Sequence, residues 1–405
     1  MSAPLKGTRV IEIGNYLAAP FAGAQLADLG ADVVKVENPR TGDYVRSSGP
    51  FVRGESSPFA RLNRNKRSLA LDMKSQDGRE VLTRLISTAD VLIENLRPGT
   101  MDKLGYGWEE TSALNPRLVY VSASGWGSRG PLARQPGLDV MAQARSGIMS
   151  ITGTPEGEPV KVGVPICDMV CALYGALGAV SALQERARTG RGQRVEVSLF
   201  EAGASLAIWE AGRYFAGEEV AGPMGSAHQS LAPYQAVACA DGWFAVGATT
   251  PPTWASFCAA LGLGHLADHP DYADVDSRFR HRAALMAAVE EVTAGQPQEH
   301  WIEVLSGAGV PCAPIQRYEQ VFHDEQLLAA DYFWDAEHPV MGTVRHLGSP
   351  MHFSAGGTER RASGPLLGEH TGEILRDLGF GPERIAAFAA RGTTGGPVAD
   401  GRLTA

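Results

Sequence analysis

TRVIEIGNYLAAPFAGAQLADLGADVVKVEN, residues 8–38, decides the fold class. TRVIEIG (8–14) reads as a short buried strand, AAPFAGAQLADLGA (18–31) as a helix and DVVKVEN (32–38) as the next strand. Brief runs of β-branched residues on either side of a helical stretch form a strand–helix–strand unit. The same alternation continues downstream. RSLALDM (67–73) reads as a strand, SQDGREVLTRLISTA (75–89) as an amphipathic helix and DVLIEN (90–95) as a strand. A short helix near 109–114 precedes RLVYVSAS (117–124), another strand. Strands and helices alternating at this spacing predict an α/β protein built on a parallel sheet.

Two strands end alike, in Glu37-Asn38-Pro39-Arg40 and Glu94-Asn95-Leu96-Arg97-Pro98. Ligands of open parallel sheets bind at the carboxyl ends of strands, so these turns are candidate site walls. RLNRNKR (61–67) carries four positive charges in seven residues. It reads either as solvated surface or as a seat for a phosphate-rich ligand. GWGSRG (125–130) matches GxGxxG, but Pro131 and Pro136 follow where a helix would have to open toward pyrophosphate. The motif is better read as a turn that lets backbone approach a ligand.

The longest apolar stretch is GVPICDMVCALYGALGAVSALQ (163–184), which contains a single charge, Asp168. It predicts a core helix buried on all faces. Pro165 marks its start and Thr189-Gly190 its end. Asp168 then falls in or near the first turn, where it serves either as a cap or as an ionised nucleophile favoured by the helix dipole. RVEVSLF (194–200) reads as a half-buried strand or helix entry, and EAGASLAIWEAGRYF (201–215) as one long helix. GEEVAGPMGSAHQSLAPY (217–234) is a linker or mobile loop near a domain boundary. YQAVACADGWFAVGA (234–248) predicts a strand–turn–strand that opens a smaller α/β domain. The chain becomes strand-like again from 338, and 364–380 leads into a final helix.

The 405 residues suffice for two domains, and 44% hydrophobic with 20% charged residues is the composition of a soluble globular protein. A net charge of −9 argues against a nucleic-acid surface. The five cysteines, Cys167, Cys171, Cys239, Cys258 and Cys312, show no metal or disulfide spacing, which suits a reducing cytoplasm. No metal site, secretory leader or membrane span is expected.

In their order, GTRVIEIGNYLAAPFAGAQLADLGADVVKVENPRTGD, NRNKRSLALDMKSQDGRE, DVLIENLRPGTMDKLG, GWGSRGP, SITGTPEGEPVKVGVPICDMVCALYGALGAVSAL, TGRGQRVEVSLFEA and PLLGEHT resemble the class III CoA-transferase family. The resemblance spans about residues 5–385, and AHQSLAPYQ (227–235) is most similar to its dicarboxylate branch. It implies a Rossmann-like large domain formed by both termini, a smaller α/β domain, and a ring-shaped chain interlocked in a homodimer. On this chain the boundaries would be 1–200 (large domain), 201–227 (linker helix and loop), 228–330 (small domain), 331–390 (return to the large domain) and 391–405 (flexible tail).

The resemblance also implies a reaction. Asp168 matches the family's nucleophile, which passes CoA from an acyl-CoA to a carboxylic acid through an aspartyl-CoA thioester. CoA thioesters are then substrates, with no permanently bound cofactor. Leu71, Asp72, Met73, Lys74, Asn95, Leu96, Arg97 and Lys103 match CoA-holding stretches, and Ala18 matches a backbone contact at the thioester. Arg40 stands in for an arginine that is Asn38 here. Asp139 matches a carboxylate near the nucleophile. Gly225, Ser226, Ala227 and His228 match a glycine-rich flap, with His228 a candidate for the acceptor carboxylate. Two departures narrow the reading. Leu138 replaces a racemase histidine and carries no proton, and Leu17 replaces a glutamine of formyl-CoA transferases. The competing readings are an acyl-CoA racemase, a nucleotide-dependent oxidoreductase and a non-catalytic CoA-binding protein.

Overall fold

The structure is a computed structural model that describes residues 2–396. The chain divides into two units. The first comprises Met1–Ser146, Gly163–Leu206 and Gln326–Ala405, and the second Gly147–Val162 and Ala207–Glu325.

The first unit is built on a seven-stranded sheet. Its parallel strands are β1 (Arg9–Ile13), β2 (Asp32–Glu37), β3 (Arg67–Leu71), β4 (Val91–Glu94), β5 (Val119–Ser124) and β6 (Arg194–Ser198). The spatial order is β3-β2-β1-β4-β5-β6, with Thr394–Gly395 pairing antiparallel outside β3. The chain therefore steps outward from β1 in one direction and then in the other, which makes the gap between β1 and β4 the topological switch point. Alternation along β1 assigns Ile11 and Ile13 to one apolar cluster and Val10 to another. Helices α1 (Ala18–Asp28) and α5 (Ile166–Thr189) supply the cluster around Val10. Helix α2 (Gln76–Ser87) and the helices Thr371–Asp377 and Pro382–Ala390 supply the other. Helices α3 (Trp108–Leu114), α4 (Asp139–Arg145) and α6 (Leu199–Ala204) complete the parts used below.

The second unit contains α7 (Ile208–Gly217) and a three-stranded antiparallel sheet of β7 (Tyr234–Cys239), β8 (Gly242–Gly247) and β9 (Cys312–Pro314). Its core gathers Phe244, Phe257, Leu285, Val289, Trp301 and Leu305. The strand–turn–strand expected over 234–248 is present, closed by Ala240-Asp241.

Several expectations are corrected. Helix α5 is not buried on every face: Cys167, Cys171, Ala172, Gly175, Ala176, Ala179 and Ala182 face inward, whereas Leu173, Tyr174 and Leu177 are 44–61% exposed. The helix expected over 201–215 is two helices, α6 and α7. Ser205 Oγ donates to Ala202 O (2.8 Å) and Leu206 N–H to Gly203 O (3.2 Å), so local bonds close α6 where α7 has not begun. The units divide between Leu206 and Ala207, inside the span 201–227 expected as linker helix and loop, and 147–162, expected in the large domain, clusters with the second unit. The helix after 364 is not the last, since Pro382–Ala390 follows. Of the tail expected over 391–405, Thr394–Gly395 forms a strand, and 397–405 lie outside the described residues.

Candidate active site

Asp168 is the third residue of α5, whose first residue is Ile166. The capping alternative falls to a different residue. Asp139, at the start of α4, accepts the backbone N–H groups of Cys167 (2.9 Å) and Asp168 (3.2 Å) on Oδ1. Its Oδ2 accepts from Gln143 Nε2 at 2.6 Å, one turn along α4. A side chain thus caps α5 from another helix and satisfies two donors that Pro165 leaves open. The carboxylate of Asp168 receives no side-chain hydrogen bond from the described residues. Burial, followed by the negative charge of Asp139, raises its pKa to about 7. Desolvation and a like charge both disfavour ionisation. Near neutrality Asp168 is consequently a weakly solvated carboxylate, oriented by the helix that carries it and without a cation to quench it. The neighbouring thiols are not competing nucleophiles, because burial pushes Cys167 to about 11 and Cys171 to about 12.

The strand ends of the same unit form a second constellation. The turn Gly14-Asn15-Tyr16-Leu17 leaves β1 at the switch point and delivers Ala18 to the head of α1. Asn95, just past β4, clamps this turn from across the switch point: its Oδ1 accepts Asn15 N–H (2.9 Å) and its Nδ2 donates to Asn15 O (2.8 Å). Tyr16 adopts a φ of 61° and donates its N–H to Asp43 Oδ1 at 3.1 Å. A non-glycine residue holds that backbone only where its surroundings over-determine it.

Those surroundings are a buried charge network. Lys35 pairs with Glu12 (2.7 Å) and Asp43 (2.8 Å), and Lys66 pairs with Glu12 (2.6 Å), with no side-chain exposure at Lys35, Lys66 or Glu12. Burial opposes the charge on Lys35, but the carboxylates of Glu12, Asp43 and Glu37 outweigh it and push its pKa up; burial draws Lys66 down to about 8. Removing one partner of such a pair strands the other and costs roughly 3–5 kcal/mol.

The basic run 61–67 is therefore not a phosphate seat. Lys66 serves Glu12, Arg64 serves Asp28 (2.5 Å), Arg67 serves Asp32 (2.6 Å), and Arg61 donates to Ser57. The unengaged cations lie elsewhere. Arg40 after β2, Lys74 after β3, and Arg97 and Lys103 after β4 are exposed and make no ion pair among the described residues. These four follow strands on either side of the switch point, as do Asp72, Met73 and Leu96, whereas Leu71, expected among the CoA contacts, is the last residue of β3 and lies buried in the apolar cluster with Ile11 and Ile13. Of the two strand-end glutamates, Glu37 is held by Arg46 (2.7 Å) and Ser68 (2.6 Å). Glu94, bonded to Ser122 Oγ (2.5 Å) and Leu96 N–H (2.9 Å), is raised by burial to about 6. Both carboxylates brace the turns from beneath.

Gly225 to His228 belong to the second unit. Gly225, at φ 65°, donates its N–H to Gly153 O (2.7 Å); His228 N–H donates to Tyr234 O (3.0 Å), and Ser226 Oγ accepts Ala236 N–H (3.0 Å). The loop is thus stitched to β7 and to the 147–162 segment. The His228 ring stands edge-on to Trp209 (5.8 Å) and Tyr234 (5.1 Å). Among the described residues no three His, Cys, Asp or Glu side chains converge as metal ligands would.

Sequence reading missed Asp43, Lys35 and Glu12 as the support of the turn. One signal was available: Glu12 and Lys35 occupy matched positions on two otherwise apolar strands, and they are register partners in the sheet. For Asp43 there was none, since Thr-Gly-Asp after a strand is ordinary turn composition.

Comparison with known proteins completes the picture. The model of CoA-transferase family III matches residues 5–371. A mouse (Mus musculus) succinyl-CoA:glutarate CoA-transferase is 35% identical over 377 residues, covering 93% of this chain and 86% of the relative. A succinyl-CoA–D-citramalate CoA-transferase from Chloroflexus aurantiacus is 33% identical over 96% of this chain and 97% of its own. The crystal structure of a CaiB/BaiF family protein from Brucella suis superposes with a TM-score of 0.84 at 37% identity, over 93% of this chain and 100% of that one. With the match running through both the strand-end turns and the Asp139–Asp168 pair, this chain belongs to CoA-transferase family III and is a CoA-transferase.

Proposed function

We propose that the enzyme moves CoA from succinyl-CoA to a small dicarboxylic acid through a thioester on Asp168. The observation that carries the reading is the carboxylate of Asp168: oriented in the first turn of α5, unpaired, and held near pKa 7 by burial and Asp139. An Asp168 oxygen attacks the thioester carbonyl and expels CoA thiolate, leaving a mixed anhydride. The thiolate attacks the Asp168 carbonyl and releases succinate, leaving aspartyl-CoA. The acceptor carboxylate attacks that carbonyl and expels the thiolate again. The thiolate then attacks the acceptor's acyl carbon, giving the new acyl-CoA and free Asp168. One exchange is divided into steps of lower barrier. Arg40, Lys74, Arg97 and Lys103 supply the positive charge for the phosphates of CoA, and Ala18 at the clamped turn supplies backbone beside the thioester. The dicarboxylate class is supported by relatives named for glutarate and D-citramalate.

A homodimer in which the chains interlock as rings is part of the same proposal. It is supported by β6, which ends the sheet uncovered, and by an open groove of about 470 Å³ beside it lined by Tyr174, Leu177, Gly178 and Val197. Exposed apolar surface next to a free sheet edge calls for a partner.

The test is intact mass after mixing with succinyl-CoA, beside Asp168→Ala. The expected result is a gain of one CoA less one water, removed by hydroxylamine and absent from the variant. Bound CoA without any adduct from succinyl-CoA or other acyl-CoAs would overturn the mechanism.

A further inference from the structure

Asp43 positions two aromatic rings with one carboxylate. Its Oδ1 accepts the N–H of Tyr16 (3.1 Å) and of Val45 (3.0 Å), and its Oδ2 lies 2.8 Å from Lys35 Nζ. The first bond holds Tyr16 in the left-handed region, and the second caps the short helical turn Tyr44–Ser47. The two tyrosine rings stack, with centroids 5.4 Å apart and planes 23° from parallel. Even so, Tyr16 is 54% and Tyr44 59% exposed. Single exposed aromatics are ordinary. A stacked pair held out of the core by a strained backbone and a buried ion network is built to meet a ligand.

Packing within the first unit sets this pair beside the nucleophile. Helices α1 and α5 touch, since a Cβ on Gly175 would lie 3.8 Å from Ala22 Cβ. Both helices end at the amino ends of strands. Helix α1 leads into Asp32, the first residue of β2, and Arg186 of α5 bonds Asp90 (2.8 Å) and Arg117 O (3.0 Å), just ahead of β4 and β5. Both therefore begin at the carboxyl ends. Asp168 comes two turns before Gly175, on the same face of α5 and about 10 Å further along. Ala18 comes one turn before Ala22, about 6 Å along α1 on the face that meets α5. Asp168 consequently stands level with Asn15, Tyr16 and Leu17, the residues just ahead of α1. Gly23, about 100° around α1 from Ala22, faces Glu12 and Lys66. The head of α1 is thus bounded by Asp168 on one side and, on the other, by the network that carries Asp43 and the tyrosines.

We infer that Tyr16 and Tyr44 are the wall of the acyl pocket and set the length of acyl chain that the enzyme accepts. A thioester carbonyl within reach of Asp168 lies over the head of α1. Its phosphate-bearing arm belongs with the exposed cations, and its short acyl arm meets two uncharged ring faces that pack well against methylene groups. The inference rests on the CoA-transferase reading above and names specificity residues for it. Neither ring takes part in making or breaking a bond.

The test uses the full-length enzyme, with CoA loading from succinyl-, glutaryl- and adipyl-CoA followed by mass and free CoA as a competing ligand. The variants are Tyr44→Ala and Tyr16→Asn, asparagine being a residue that accepts the left-handed region. In each, the second-order rate constant for loading from succinyl-CoA should fall, and the adipyl-to-succinyl ratio should rise about tenfold as the pocket lengthens. The inhibition constant of free CoA should stay as in the parent, which also shows that the variants are folded. An adipyl-to-succinyl ratio unmoved in both variants overturns the assignment. So does an inhibition constant of CoA that rises as far as loading from succinyl-CoA falls, because the rings would then touch the CoA arm. A parent enzyme that binds CoA but loads from no thioester defeats the aspartyl mechanism instead, so the two failures are told apart.

Discussion

At the scale of single residues, the chemistry turns on two carboxylates that share one helix end. Asp139 caps α5 through Oδ1 and in doing so places a negative charge beside Asp168. Burial is the larger influence on Asp168 and the Asp139 charge the second, both raising it to about 7. Only the ionised form attacks a thioester, so the rate of CoA loading should fall below pH 7 and level off above it. Asp139→Asn separates the two roles of the residue. Its amide oxygen still accepts the N–H groups of Cys167 and Asp168, so the cap survives, but the charge is lost. The sign then follows: with the like charge removed, Asp168 ionises more readily and the acid limb moves to lower pH. Loading rates across pH 5–9 for the two proteins measure it. A limb that stays in place in the variant means that burial alone sets the pKa, and a limb that moves upward contradicts the electrostatics.

At the scale of elements, close approach decides what propensity does not. Helix α1 packs on the buried charges through Gly23, where an added Cβ would lie 2.3 Å from Glu12 Oε2. Helix propensity alone favours alanine over glycine by about 1 kcal/mol in a helix interior. Here the methyl group would push on the carboxylate that holds both Lys35 and Lys66. Gly23→Ala should therefore destabilise by roughly 1–3 kcal/mol. Gly212 of α7 is the control: a Cβ there meets nothing within 4 Å, so Gly212→Ala should be neutral or stabilising by up to about 1 kcal/mol. Urea unfolding of both variants settles the comparison, and a Gly23→Ala protein as stable as the parent would mean that the network yields. The elements themselves were legible because short β-branched runs and amphipathic stretches carry their own period. The orientation of α5 was not, since a run that is apolar on every face has no period to read. Its burial is sorted by size, with Ala, Gly and Cys against the sheet and Leu173, Tyr174 and Leu177 outward. The basic run 61–67 misled for a related reason: sequence counts charges, and the carboxylates that neutralise them arrive from residues 12, 28 and 32 through the fold.

At the scale of the whole molecule, sequence order hides the assembly of the first unit from three separated stretches of chain. That both termini share a domain followed from the family resemblance, and no local pattern announced it. The strand between 394 and 395 pairs with β3 from the far end of the chain, where composition alone read a tail. What the fold of one chain leaves uncovered is equally informative. Leu177 is 61% exposed on α5 beside the open edge of β6, and the groove it lines is bounded below by Ser198 and Glu201. A large aliphatic residue so placed costs free energy in water, about 25 cal/mol for each Å² that a partner would cover. A C2 interface repeats each contact twice, so one charge placed at its centre is felt twice. In the dimer proposed above, Leu177→Glu should therefore lower the dimeric fraction that sediments after refolding at micromolar concentration, because interlocked chains cannot part from the folded state without opening. A parent protein that sediments as a monomer would remove the dimer altogether. A variant that remains dimeric would place the interface on another face, and the exposed side of α5 would then need a different partner to account for it.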